Sequence, residues 1–187
     1  MRRSSGGRWL LLIFCAGVFG GTLLANLLPA RYLPVLSGMT VDIGELLKGF
    51  SGRQNEYFVY LLKIRAFPIL VLWASLFTGH GVEVFCVATL WYGVCSGAVI
   101  SGAVLLFGAG GILLFLTMIF PQYLFYGMIF VYLFAKLERN RLGRQGKTVQ
   151  LSEEMNVLLV ITVLFLMGTL LEAYLNPILL RKISMVA

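Results

Sequence analysis

One acidic residue, Glu172, lies deep in an apolar stretch of the chain, and its chemistry depends on what meets its carboxyl group. An ionisable side chain inside a membrane-spanning segment is costly, so such a residue marks a candidate functional site. Lys63 and Arg65 lie in another apolar stretch and could enter at a comparable depth. An ion pair with either residue, or a protonated carboxyl group hydrogen-bonded to a neighbour, would satisfy Glu172. We expect structural pairing, with partner docking and proton or ion translocation as alternatives.

The dipeptide Pro121-Gln122 is the second candidate site. Proline frees a backbone carbonyl group in a helix, and the glutamine amide can form a hydrogen bond to a neighbouring helix. The dipeptide therefore predicts a packed kink, and a substrate site in a broken helix is the alternative.

Patterns of the common catalytic and metal sites do not occur in the sequence. There is one histidine, His80, with Glu83 nearby, and the three cysteines lie in apolar runs without CxxC spacing. GxSxG, HExxH and P-loop patterns are absent. We therefore predict no catalytic residues, no metal or cofactor site, and no enzyme activity of the chain itself.

The composition identifies the class of protein that must position these residues. The chain has 187 residues, of which 59% are hydrophobic and 12% charged, with a mean hydropathy of +0.91. A soluble domain is roughly half apolar and about a quarter charged. This composition excludes disorder and predicts an integral membrane protein. The net charge of +7 comes from a few short segments, so nucleic acid is not an expected partner.

The hydropathy pattern predicts an all-α bundle of five transmembrane helices. The uncharged stretch at 84–135 is too long for one crossing of about 30 Å, so it must fold back, and Gly108–Gly111 is the expected turn. The predicted spans are 9–28 (with a signal peptide as the alternative), 58–77, 84–107, 112–135 (broken at Pro121) and 155–180. The predicted connections are a basic tail at 1–8, a loop with a short amphipathic helix at 29–57, a basic loop at 136–154 and a short tail at 181–187.

The distribution of basic residues predicts the orientation of the chain. Cytoplasmic flanks of membrane proteins are enriched in lysine and arginine. The basic segments 1–8 and 136–154 fall on the same side when the chain crosses five times. We therefore expect a cytoplasmic N-terminus, with the 29–57 loop and the 181–187 tail on the outer side.

Two groups of glycines predict close helix packing. Gly17, Gly20 and Gly21 share one face of the first span, and the third span contains Gly93, Gly97 and Gly102 with Ser96 and Ser101. Small residues at this spacing let a second helix approach closely, although glycine is also common in membrane helices without such a role.

The end of the last span carries the pattern E-A-aromatic-x-x-P, at Glu172 to Pro177. This pattern, together with the earlier Pro121-Gln122, resembles the stage II sporulation protein M family. The size, the glycine-bearing first span, the external first loop and the basic loop before the last span are also similar. The motif residues are Pro121, Gln122, Glu172, Ala173, Tyr174 and Pro177.

The resemblance implies a multi-pass protein of the bacterial cell membrane without its own catalysis. In endospore-forming bacteria such a protein is needed for engulfment of the forespore. It is thought to hold the peptidoglycan-degrading stage II sporulation proteins P and D at the septal membrane. The motif residues would then serve structure or partner docking, and membrane lipid and a second copy of the chain are further expected partners. The alternatives are a transporter or channel subunit, such as the membrane half of an exporter, and a spore-unrelated envelope protein of the same fold.

Overall fold

The computed structural model describes residues 5–27, 54–142 and 151–184, and every regular element in these ranges is an α-helix. The helices are α1 (Ser5–Leu27), α2 (Gln54–Ser75), α3 (Gly81–Phe107), α4 (Gly110–Ile119), α5 (Gln122–Leu142) and α6 (Leu151–Ser184). The predicted all-α fold class is confirmed for these ranges. The amphipathic helix predicted within 29–57 lies outside the described residues.

Four of the described helices are long and apolar enough to cross a membrane. They contain the windows Gly7–Leu27, Asn55–Ser75, Gly81–Leu105 and Met155–Asn176. The helices α4 and α5, which are separated by residues 120–121, add a fifth span if the pair is counted as one broken crossing. The chain therefore has the architecture of a multi-pass membrane protein with four or five spans.

Two helices continue beyond the ends of the predicted spans. Residues 136–142, predicted as loop, form the end of α5, and residues 181–184, predicted as tail, form the end of α6. Lysine, arginine, glutamate and leucine are all good helix formers. Charged residues therefore end the apolar span in the sequence without ending the helix.

A glycine turn joins α3 to α4. Gly108 has a φ angle of 61°, in the left-handed region that glycine adopts without steric cost. Its amide donates a hydrogen bond to the carbonyl oxygen of Val104 (2.8 Å), and the amide of Gly111 donates to the carbonyl oxygen of Gly108 (3.0 Å). The turn lies in the glycine run that predicted it.

The chain divides into two compact units. Of the described residues, 5–27 and 83–118 belong to the first unit, and 54–82, 119–142 and 151–184 belong to the second. The first unit therefore contains α1 and most of α3 and α4, and the second contains α2, α5 and α6.

In the first unit, α1 and α3 pack through glycines. A Cβ atom at Gly17 would lie 2.6 Å from the carbonyl oxygen of Leu90, and a Cβ atom at Gly93 would lie 2.6 Å from that of Phe14. Neither position could hold a larger residue without a shift of the backbones. Gly20 has no atom within 4 Å of a Cβ added there, so it lies outside the contact.

The same helix pair is parallel. The contacts of Gly17 with Leu90 are followed by those of Gly21 with Val94. Further along, the Asn26 side-chain amide donates to Ser101 Oγ (3.1 Å). Residue numbers rise together on the two helices, so both run in the same direction.

In the second unit, each of the three long helices buries a stripe of side chains. The apolar members are Leu61 and Leu72 on α2, Ile129, Leu133 and Leu137 on α5, and Val157 and Ile161 on α6. Intervals of four and eleven residues are close to whole helical turns, so these residues share one face of each helix. Arg65, Tyr126 and Glu172 belong to the same stripes, and this brings a polar cluster into the core of the unit.

Candidate functional site

Arg65 and Glu172 form an ion pair between α2 and α6. Arg65 Nη2 donates to Glu172 Oε1 at 2.6 Å, and Arg65 Nε donates to Glu172 Oε2 at 3.3 Å. The planar guanidinium group therefore meets both carboxylate oxygens, which is the geometry that suits arginine better than lysine. The side chain of Glu172 is only 7% exposed, whereas that of Arg65 is 32% exposed.

Tyr126 brings α5 into the same cluster. Its hydroxyl group donates to Glu172 Oε2 at 2.9 Å. The guanidinium carbon of Arg65 lies 5.8 Å from the centroid of the Tyr126 ring, within the range of a cation–π interaction. Glu172 thus accepts three hydrogen bonds from two other helices, and its buried charge is matched and hydrogen-bonded, as such a charge requires.

Gly168 on α6 has no side chain, and this leaves space for the Tyr126 ring. A Cβ atom at Gly168 would lie 3.0 Å from Tyr126 Cε1 and 3.3 Å from Phe125 Cβ. Gly168 is one helical turn before Glu172, so both face α5. The Tyr126 ring also packs against the Tyr123 ring in an edge-to-face arrangement, with 6.2 Å between the ring centroids. The ring is therefore held on two sides.

Tyr174 forms a second contact between α2 and α6. Its hydroxyl group donates to Asn55 Oδ1 at 3.0 Å, and its ring centroid lies 6.4 Å from that of Phe58. Tyr174 follows Glu172 on α6, but its partners precede Arg65 on α2. The two helices are therefore antiparallel at this contact.

The two basic candidates for pairing with Glu172 occupy different environments. Arg65 makes the ion pair described above. Lys63 is exposed and is not among the partners of Glu172 within the described ranges. Ala173, which follows the acid, is fully buried, and Pro177 lies inside α6 without ending it.

The predicted Pro121-Gln122 site lies at the bend between α4 and α5. Pro121 separates the two helices, and Gln122 is the first residue of α5 with a side chain that is 1% exposed. Gln122 lies one turn before Tyr126 and so shares its face of α5. Tyr126 and Gly168 were not among the predicted site residues. Tyr126 lies one turn after Gln122 and Gly168 one turn before Glu172, and this spacing was a signal that could have indicated both.

The geometry of the Arg65–Tyr126–Glu172 cluster suits a structural ion pair. The carboxylate of Glu172 on α6 contacts Arg65 on α2 and Tyr126 on α5, so one buried group joins three helices. Over residues 5–27, 54–142 and 151–184 there is no group of three or more histidine, cysteine, aspartate or glutamate residues placed to hold a metal ion.

No protein-family model, curated protein or solved structure matches the chain.

Proposed function

We propose that the protein is a scaffold of the bacterial cell membrane that holds partner membrane proteins and has no catalysis of its own. The observation that carries the proposal is the bidentate Arg65–Glu172 pair. The carboxylate that could have moved a proton or bound an ion is engaged by a guanidinium fork and by the Tyr126 hydroxyl group. Its chemistry in this arrangement is to fix three helices, which is what a rigid docking platform needs.

We further propose a five-span topology with a cytoplasmic N-terminus. The parallel packing of α1 and α3 is the arrangement expected for spans one and three. Arg65 contacts Tyr126 on α5. A Cβ atom at Gly81, the first residue of α3, would lie 2.8 Å from the carbonyl oxygen of Ser75 at the end of α2 and 2.6 Å from Leu137 on α5. These contacts make α2 and α5 parallel, as spans two and four would be if α4 and α5 form one broken crossing.

The orientation rests on the basic residues at the end of α5. Arg139 and Arg141 lie in its last turn. Five spans place them on the same side as the arginines at the start of the chain, and enrichment of basic residues marks the cytoplasmic side.

We propose more specifically that the protein is a scaffold of the stage II sporulation protein M type. Its partners would be stage II sporulation proteins P and D at the septal and forespore membranes of an endospore-forming host. The support is the E-A-Y-L-N-P pattern, whose residues Glu172, Ala173 and Tyr174 all serve helix contacts or the buried core. An envelope role unrelated to spores is the alternative for the same fold.

Deletion of the gene in an endospore-forming host tests the proposal. We expect cells to stop before engulfment with the septal peptidoglycan undegraded, and a plasmid-borne copy of the native gene to restore engulfment. Fluorescent membrane staining during sporulation measures both outcomes. Normal engulfment in the deletion strain would refute the sporulation role.

A transporter subunit is the second candidate, and the break between α4 and α5 favours it. A helix pair interrupted at Pro121, with the buried Gln122 beside the break, resembles the broken helices that line substrate paths. Purified protein in vesicles would then move a solute, and Gln122→Leu would abolish that movement. A scaffold would leave solute flux at the level of empty vesicles.

A further inference from the structure

The outward face of α2 carries a cation within the apolar part of the helix. Lys63 lies inside the membrane-spanning window Asn55–Ser75, and its side chain is exposed. Tyr60 and Phe67, about one turn away on either side, share this face and are 57% and 72% exposed. We call Tyr60, Lys63 and Phe67 the Lys63 face.

The charge of Lys63 is met differently from that of Arg65. Glu172 neutralises Arg65, but no acidic side chain pairs with Lys63 in the part of the chain that the structure describes. Glu56 lies on the same face, but it is two turns away, about 10 Å along the helix axis. Among the described residues, the charge of Lys63 is therefore unmatched.

Lys63 also lies far from both ends of its helix. It is about 13 Å along the axis from Gln54 and about 18 Å from Ser75. The five bonds between its Cα and Nζ, each about 1.5 Å, reach roughly 6 Å. The ammonium group therefore ends short of either end of the helix, in a region where an unpaired charge is costly.

We propose that the Lys63 face docks a transmembrane helix of a partner protein that carries a glutamate or aspartate at the depth of Lys63. A carboxylate supplies both the opposite charge and the hydrogen-bond acceptors that an ammonium group needs away from water. The two exposed aromatic rings flank the cation and provide apolar contact area around it, as at the centre of protein interfaces. The inference rests on the proposed scaffold function, because it names the chemistry by which the scaffold would recognise a partner.

The test uses the full-length protein in phosphatidylcholine vesicles with a synthetic transmembrane peptide of leucine and alanine. The peptide carries one glutamate at the depth of Lys63, and matched peptides carry glutamine or leucine there. Energy transfer between labelled protein and labelled peptide measures association. We expect the glutamate peptide to bind at least about fivefold more tightly than the leucine peptide. Lys63→Gln should remove this preference, and Lys63→Arg should retain it.

A displaced lysine provides the matched control. The double variant Lys63→Gln/Ile64→Lys keeps the net charge and nearly the same depth, but it moves the cation about 100° around the helix. We expect it not to restore the preference for the glutamate peptide. Equal binding of all three peptides, unchanged binding by Lys63→Gln, or full restoration by the displaced lysine would each overturn the proposal.

Added phosphatidylglycerol tests whether lipid phosphate meets Lys63 instead. If this lipid raises the thermal stability of the native protein but not of Lys63→Gln, and the glutamate peptide shows no preference, the docking proposal is refuted. A failed peptide test combined with arrested engulfment in the deletion strain would refute the docking face and leave the scaffold function standing. Normal engulfment would refute the scaffold function in sporulation independently.

Discussion

Gly168 lies one helical turn before Glu172, and the side chain it lacks is what lets the Tyr126 ring reach the carboxylate of Glu172. Valine at this position would press on the Tyr126 ring, which also packs against Tyr123. We expect Gly168→Val to lower the free energy of unfolding by about 1–3 kcal/mol, as overpacking does. Thermal unfolding in detergent measures this loss.

Gly127 is the matched control for that substitution, because a Cβ atom there would meet no atom within 4 Å. Gly127 is next to Tyr126 and on an exposed part of α5. We expect Gly127→Val to change the free energy of unfolding by less than about 0.5 kcal/mol. Equal losses at the two positions would show that the cost comes from valine in a helix and not from contact with Tyr126.

The Arg65–Glu172 pair should show strong energetic coupling. Arg65→Gln leaves a buried carboxylate without its cation, so we expect it to destabilise the protein by about 3–5 kcal/mol. Adding Glu172→Gln removes the orphaned charge, and the double variant should therefore be more stable than Arg65→Gln alone. A double-mutant cycle by chemical unfolding in detergent measures the coupling. Additive effects of the two substitutions would contradict the pairing.

Tyr126→Phe measures the contribution of the hydroxyl group to stability separately from that of the ring. The variant loses one hydrogen bond to a charged group, so we expect a loss of about 1.5–3 kcal/mol in the free energy of unfolding. The ring remains available to the Arg65 guanidinium group. Tyr132→Phe, at an exposed position on the same helix, should have little effect. A stability of Tyr126→Phe equal to that of the native protein would mean that the hydroxyl contact does not contribute.

Charge and hydropathy predicted the all-α membrane fold and left two candidate ion-pair partners for Glu172, Lys63 and Arg65. The choice between Lys63 and Arg65 depends on the rotation of α2 about its axis. Arg65 lies one turn after Leu61, on the buried stripe, whereas Lys63 lies on the exposed face. Because α2 carries apolar residues on its exposed sides as well as on its buried side, the order of polar and apolar residues along it could not decide between the two.

The contributions of Tyr126 and Gly168 depend on contacts between distant segments. Tyr126 is one of several aromatic residues in its helix, and only the approach of α6 distinguishes it from Tyr123. Gly168 is a single glycine in an apolar run, and its role depends on which ring faces it. Spacing from Glu172 indicates a shared face, but the partner on the next helix is set by packing.

The shared face of the glycines in α1 was predictable from the sequence, but which glycine contacts α3 was not. Gly17 faces the backbone of α3, whereas Gly20 meets nothing within 4 Å. We expect Gly17→Val to separate α1 from α3 and to cost about 1–3 kcal/mol in unfolding free energy, and Gly20→Val to cost less than about 0.5 kcal/mol. A disulfide between cysteines introduced at Asn26 and Ser101, whose side chains are hydrogen-bonded, would report the contact directly by a gel shift. The crosslink should form in the Gly20→Val background and be lost in the Gly17→Val background, and equal crosslinking in both would contradict the packing of α1 on α3 through Gly17.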